Sequence, residues 1–291
     1  MSYTGSPTIV ILGNVQDGGS PHIGCKRDCC RQLFHSPDSL RKVVSLGVVS
    51  SGYNKIYLFE ATPDMPAQLR RLSEYARSAS DLPDGIFLTH AHIGHYSGLM
   101  YLGKEAMNSS AVPVYAMPRM KQFLETNGPW SQLAGTKNIS LQQLSHQAPL
   151  QLTPDLTVTP ILVPHRDEYS ETVGYIIAGP RKKALFIPDI DKWEKWSLSI
   201  IDQVSKTDYA FIDATFFDAA EVNNRNIGEI PHPFVIESLA RFQQLSAGEK
   251  RKIHFIHFNH TNPLLDPDSK QTKEVLSKGF GIARMGDVFE L

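Results

Sequence analysis

The chain has 291 residues, 29 Lys and Arg against 30 Asp and Glu for a net charge of −1, and 41% hydrophobic residues. That balance excludes disordered and fibrous proteins, and near-neutrality gives no electrostatic footing to a general nucleic-acid binder, which needs a basic patch or stripe. No stretch approaches the roughly 18 apolar residues of a membrane span, and residues 1–6 lack a basic or apolar leader, so a cytoplasmic protein with no membrane partner is expected.

Residues 8–12 form an apolar run that reads as a buried strand, ended by Gly13 and followed by a polar, glycine-bearing loop over 14–24. Strands are expected at 43–50 and 55–60, joined by the turn Ser51-Gly52-Tyr53-Asn54. Pro63 opens a helix with Leu69, Leu72 and Ala76 on one face, before a short strand at 86–88. A helix over 98–107, a strand at 113–116 and a helix from Pro118 complete the first half. The second half begins with strands at 156–163, 173–178, 184–188 and 209–212. Helices at 192–204 and 233–244, a strand at 252–258 and a closing strand pair within 282–290 follow. Two blocks, each β-rich and then helical, imply an α+β domain with two sheets face to face and helices outside.

The densest chemistry is Thr89-His90-Ala91-His92-Ile93-Gly94-His95, directly after the strand at 86–88. One histidine is ordinarily a core or surface residue. Three within six positions at a strand end point to a metal site, because imidazoles two apart on extended backbone project to one side and a third arrives as a helix begins. A second cluster, Cys25, Cys29 and Cys30, holds every cysteine of the chain. An odd number cannot all pair, and the vicinal Cys29 and Cys30 favour metal over disulfide; buried inert thiols are the plain alternative.

The histidine segment resembles the His-x-His-x-Asp-His signature of the metallo-β-lactamase superfamily, with Gly94 where that family has aspartate. The resemblance implies a four-layered αββα sandwich, with residues 1–291 as one metallo-β-lactamase-like domain. It makes His90, His92 and His165 the ligands of a first metal, Asp189 a carboxylate bridging two metals, and His95 and His257 the remaining ligands of a second. His165 and Asp189 read alternatively as a surface histidine and a helix cap. Without an aspartate at 94, the second site keeps only His95, Asp189 and His257, so one firmly held metal and a second that is weak, absent or differently ligated are expected.

His257-Phe258-Asn259-His260 and the early cysteines resemble the phosphoribosyl cyclic phosphodiesterase branch, which implies a structural zinc on Cys25, Cys29, Cys30 and His260, with His22 a competing fourth ligand. Other stretches resemble pyrroloquinoline quinone biosynthesis protein B: Glu60-Ala61-Thr62-Pro63-Asp64, His165-Arg166-Asp167-Glu168-Tyr169-Ser170, Asp213-Ala214-Thr215-Phe216 and Thr261-Asn262-Pro263.

The expected function is a metal-dependent hydrolase using a metal-bound hydroxide on a small molecule, a phosphodiester or an ester or lactone. Asp189, His95 and His232 form the expected catalytic set, and Arg166 and Phe217 the substrate contacts, with Phe216 and Trp130 as further apolar walls. Zinc is the expected structural metal, with zinc, iron or manganese at the catalytic site. The alternatives are a role like that of the quinone-pathway protein, either mononuclear-metal oxidative chemistry or metabolite carriage. A homodimer is compatible with all of these.

Overall fold

A computed structural model describes residues 5–76, 82–222 and 226–291. Residues 1–4, in the opening segment, lie outside the described residues. The strands are β1 (Thr8–Gly13), β2 (Ser45–Ser50), β3 (Lys55–Phe59), β4 (Gly85–Phe87), β5 (Val112–Ala116), β6 (Ile139–Gln143), β7 (Leu150–Thr153), β8 (Leu156–Leu162), β9 (Val173–Ala178), β10 (Lys183–Ile187), β11 (Tyr209–Asp213), β12 (Ile253–Ile256), β13 (Gly281–Ile282) and β14 (Val288–Glu290). They make two seven-stranded sheets, ordered β14-β1-β2-β3-β4-β5-β6 and β13-β12-β11-β10-β9-β8-β7.

Alternation along the strands creates the layers. In β1, Ile9 and Ile11 enter the core between the sheets, while Val10 and Leu12 face the outer helices. In β10, Ala184 and Phe186 face inward, and Leu185 and Ile187 meet the helices on the other side. Strands apolar on both faces belong to sheets covered on both faces. Met65 and Leu72 of the Met65–Ser73 helix and Met120 and Leu124 of Pro118–Thr126 cover the first sheet. Ile200 and Val204, Val235 and Leu239, and Val275 from three further helices cover the second. The result is an αββα sandwich. Among the described residues, no helix is long and apolar enough to cross a membrane.

Three of the expected elements take another form. The closing strands do not pair with each other: β13 adds parallel to β12, and β14 adds antiparallel to β1 in the opposite sheet. The helix expected over 192–204 is broken into Trp193–Lys195 and Ile200–Ser205. Trp196 is turned inward to donate its indole N–H to Leu162 O at 2.8 Å, and Ser199 caps the second piece by accepting from Asp202 N at 3.3 Å. The helix expected over 98–107 is a 3-10 turn, Ser97–Leu102. Gly98 lies there against the preceding loop, where an added Cβ would come within 2.1 Å of Thr62 O.

The central core also fixes the end of β4, from which the histidine segment departs. Phe87 stacks between Phe59 and Tyr115, with ring centroids 4.7 and 4.5 Å away. Tyr175 of β9 meets Phe87 edge-on at 5.6 Å and donates its hydroxyl to Leu88 O. Val173 N donates to Thr89 O at 3.1 Å, and Ala91 N to Ser170 Oγ at 2.8 Å. Strand β9 and the loop that precedes it thus hold the backbone on both sides of His90.

Candidate metal centre

Residues at or just beyond the C-terminal ends of five strands converge on one place. His90 follows β4, His165 follows β8, Asp189 follows β10, Asp213 ends β11 and His257 follows β12. His90, His92, His165 and Asp189 each offer a ligand atom, all within 4.8 Å of one another. Asp189 Oδ2 is the common point: His165 Nε2 lies 3.2 Å away, His90 Nε2 3.4 Å, His92 Nδ1 3.9 Å and His95 Nε2 3.9 Å. Outer contacts orient these rings. Thr89 Oγ1 is 2.8 Å from His90 Nδ1, Asp191 Oδ1 is 3.2 Å from His165 Nδ1, and Glu168 Oε2 is 3.4 Å from His92 Nε2. Such partners leave the opposite nitrogen of each imidazole aimed at the centre.

Beside this group, Asp17, His95 and His257 bring three ligand atoms within 4.8 Å of one another. Thr215 Oγ1 is 2.9 Å from His257 Nδ1, and Glu60 Oε1 lies 3.4 Å from His95 Nδ1. A third constellation surrounds His232, whose Nδ1 is 2.9 Å from Asp213 Oδ2 and 3.2 Å from Asp189 Oδ1.

The donor chemistry suits divalent cations. His90 Nε2, His95 Nε2 and His257 Nε2 are buried with no hydrogen-bond partner among the described residues. Each unpartnered buried group costs about 1–3 kcal/mol, which coordination removes. Charge balance points the same way. Burial and the nearby His95 hold the His90 pKa well below the ordinary histidine value. Burial also opposes charge on His165, but Asp189 outweighs it and raises that pKa to about 9. At His232, burial is outweighed by Asp213 and Asp189, and the pKa stands well above the ordinary value. Burial would keep Asp189 protonated, yet His165 and His232 hold it well below the carboxylate range. The buried anions therefore draw positive charge, and protons and metal cations compete to supply it.

Cys25, Cys29, Cys30 and His260 form a separate group, with ligand atoms within 4.8 Å of one another. Sγ of Cys29 lies 3.9 Å from Sγ of both Cys25 and Cys30. Burial and the flanking thiols push the Cys29 pKa up to about 12, while burial with His22 and Arg27 lowers His260 to about 4, leaving a neutral imidazole beside crowded sulfurs. Three thiols this close ionise together only around a cation. His22 lies outside the group: its Nδ1 is 2.8 Å from Ile23 O, and its ring stacks on His260 at 4.5 Å.

The expected ligands His90, His92, His165, Asp189, His95 and His257 thus gather at one place, and His232 joins them. Arg166, next to His165 in the sequence, is exposed. Phe217 is a correction: it is 4% exposed and packs in the core with Val235 and Phe258, so it offers no substrate wall. Phe216 lies nearer the site, its ring 6.1 Å from His232, whereas Trp130 packs on Tyr96 in the outer helical layer. Asp17 and Glu60 were not expected as parts of the centre. Asp17 sits alone in a glycine-bearing loop with no ligand spacing around it. Glu60 was noticed only within the stretch Glu60-Ala61-Thr62-Pro63-Asp64.

Residues 55–258 match the family model described as Beta-lactamase superfamily domain. Coenzyme PQQ synthesis protein B of Pseudomonas putida (strain GB-1) is 25% identical, the alignment covering 97% of this chain and 99% of that protein. The fold resembles that of Zn(2+)-bound PqqB from Methylobacterium extorquens, with a TM-score of 0.78 at 21% identity over 98% of this chain and 100% of the other. A diphosphatase from the PhnP family gives a TM-score of 0.66 at 22% identity over 98% of this chain and 97% of the other. With most of its length matched by the family model and the sandwich shared with these structures, the chain belongs to the metallo-β-lactamase superfamily.

Proposed function

We propose that the protein is a metal-dependent hydrolase of a small anionic substrate, a phosphodiester ahead of an ester or lactone. The observation that carries this reading is the gathering of His90, His92, His165 and Asp189 within 4.8 Å, with His232 held against Asp189. A divalent cation on these residues supplies Lewis-acid polarisation and brings the pKa of water near 7. Zinc, iron and manganese all suit the imidazole and carboxylate donors. Asp189 accepts a hydrogen bond from the attacking water and sets its direction. His232, charged and fixed through Nδ1 by Asp213, delivers a proton to the leaving-group oxygen through its other nitrogen. Arg166, exposed and next to His165 in the sequence, offers a guanidinium to an anionic substrate group. Resemblance to a PhnP-family diphosphatase supports a phosphoryl substrate.

The test is turnover of bis(p-nitrophenyl) phosphate, beside ester and lactone panels, by zinc-loaded and manganese-loaded protein. His92→Ala is expected to abolish turnover, and His232→Asn to lower kcat by about 10²–10⁴-fold with KM little changed. Loaded protein inert toward every hydrolytic substrate overturns the reading.

Full-length similarity to Coenzyme PQQ synthesis protein B favours a second reading, oxidative chemistry or carriage of a metabolite in that pathway. Oxygen uptake by iron-loaded protein supports oxidative chemistry. Tight metabolite binding that survives His92→Ala supports carriage.

A further inference from the structure

We propose that Asp17 is the carboxylate ligand of a second cation beside the first, taking the place left by Gly94 and making the centre dinuclear. The inference rests on the hydrolase reading for the first cation and adds a site that the histidine segment alone leaves short of a ligand.

Backbone pairing brings Asp17 there. Beyond β1, Phe258 N donates to Asn14 O and Gln16 N donates to Phe258 O, both at 2.8 Å. Val15 is bridged to Val43 on one side and Phe258 on the other. The loop is thus zipped to the residue that follows His257, and a turn closed by Gly19 N donating to Gln16 O at 2.9 Å sets Asp17 beside that histidine. Asp17, His95 and His257 then offer ligand atoms within 4.8 Å of one another, with Asp189 Oδ2 3.9 Å from His95 Nε2.

Two independent observations tie this set to a cation. His95 and His257 are both fully buried, yet neither Nε2 of His95 nor Nε2 of His257 has a hydrogen-bond partner among the described residues. Two imidazoles are held this way only at a cost, unless an ion occupies the space between them and Asp17. Position 94 supplies the second observation. A Cβ built on Gly94 would stand 2.3 Å from Asp17 Cβ, 2.7 Å from its Cα and 2.8 Å from its O. Real Cβ atoms do not approach backbone so closely, so any side chain at 94 would expel residue 17. An aspartate at 94 and Asp17 in its present place are mutually exclusive. The chain carries the carboxylate on the loop and keeps the helix position bare.

The experiment is metal analysis together with calorimetric titration of chelator-stripped protein by zinc and by manganese, for the wild type, Asp17→Ala, Gly94→Asp and the double variant Asp17→Gly with Gly94→Asp. Loss of a partner outside the coordination sphere typically weakens binding about 10–100-fold, so Asp17→Ala is expected to weaken the second cation by about 100-fold or more and spare the first. Gly94→Asp alone is expected to lower the melting temperature of the metal-free protein through the clash. The double variant loses the 2.3 Å contact with Asp17 Cβ but keeps those with the backbone of residue 17, so it is expected to recover the second equivalent of metal and only part of that melting temperature. Equal stoichiometry and affinity in the wild type and Asp17→Ala, with the metal-free melting temperature unchanged, overturns the proposal while leaving the single-cation hydrolase intact. Wild-type protein that takes no cation at His90, His92 and His165 overturns both.

Discussion

Glu60 shows how single residues build this centre from strained and unsatisfied parts. Its φ is +77°, its side chain is fully buried, and neither carboxylate oxygen has a hydrogen-bond partner among the described residues. His257, in the same pocket, also has a left-handed φ of +69°. Such conformations cost of order 1–3 kcal/mol each and persist where surrounding structure holds them in place. At Glu60 the return is electrostatic, because burial opposes charge on His95 but the adjacent carboxylate raises its pKa. With a cation in place of the proton, the same carboxylate strengthens the imidazole as a ligand. Glu60→Gln keeps the shape and removes the charge. It is expected to weaken second-cation binding about 10–100-fold and leave the first unchanged; equal weakening of both in calorimetric titration would make Glu60 a purely structural residue. At this scale the sequence exposes what density reveals. Three histidines within six positions are conspicuous, whereas Asp17 and Glu60 act through contacts with residues far along the chain. Phe217 misled because aromatic character alone does not say which side of a layer a ring occupies.

Among elements, the loop after β1 does the most. One stretch carries Asp17 toward His257 and continues into Cys25, Cys29 and Cys30, which gather around His260. Both groups therefore link the same two segments, 14–30 and 257–260, at points a few residues apart. A cation on the cysteine group would restrain the far end of the loop that presents Asp17 and so would couple that group mechanically to the proposed second cation. Cys25→Ser is expected to lower the melting temperature of the zinc-loaded protein by several degrees and weaken the second cation, with His90, His92 and His165 still binding the first. An unchanged melting curve removes the structural role of the cysteine group. Element boundaries were legible where apolar runs are long, as in β1, β2, β8 and β9. They were lost where tertiary contacts override local pattern: Trp196 breaks a continuous helical reading by reaching Leu162 O, and β6 is half-buried, with its last two residues exposed. The closing strands looked like neighbours because proximity in sequence does not tell which sheet a short strand joins.

At the level of the whole molecule, those closing strands stitch the sandwich together, and His254 sits in the seam. It lies on β12 of the second sheet, with its ring 4.9 Å from Phe289 of β14 in the first sheet and 5.6 Å from Phe211. Gly281 on β13 permits this packing, since a Cβ there would come within 2.3 Å of His254 Nδ1. The sequence reading correctly set the two-sheet architecture, because each block of strands precedes its helices, but this junction is visible only once β13 and β14 are known to part. Burial in the seam lowers the His254 pKa to about 4. An unfolded chain protonates the same histidine near 6.5, so between these values the unfolded state binds more protons. The contribution of His254 to stability is therefore fully present above pH 6.5 and is lost as pH falls toward 4, with an upper bound of roughly 3 kcal/mol. The same acid range also releases metal from histidines, so the informative quantity is the difference between proteins that share the metal centre. His254→Phe preserves an aromatic ring against Phe289 and cannot titrate. In thermal melts at matched metal loading, the wild type is expected to lose more melting temperature than this variant between pH 7.5 and pH 5. Parallel losses would mean that His254 takes up its proton as readily in the folded chain as in the unfolded one, and that acid sensitivity resides in the metal centre alone.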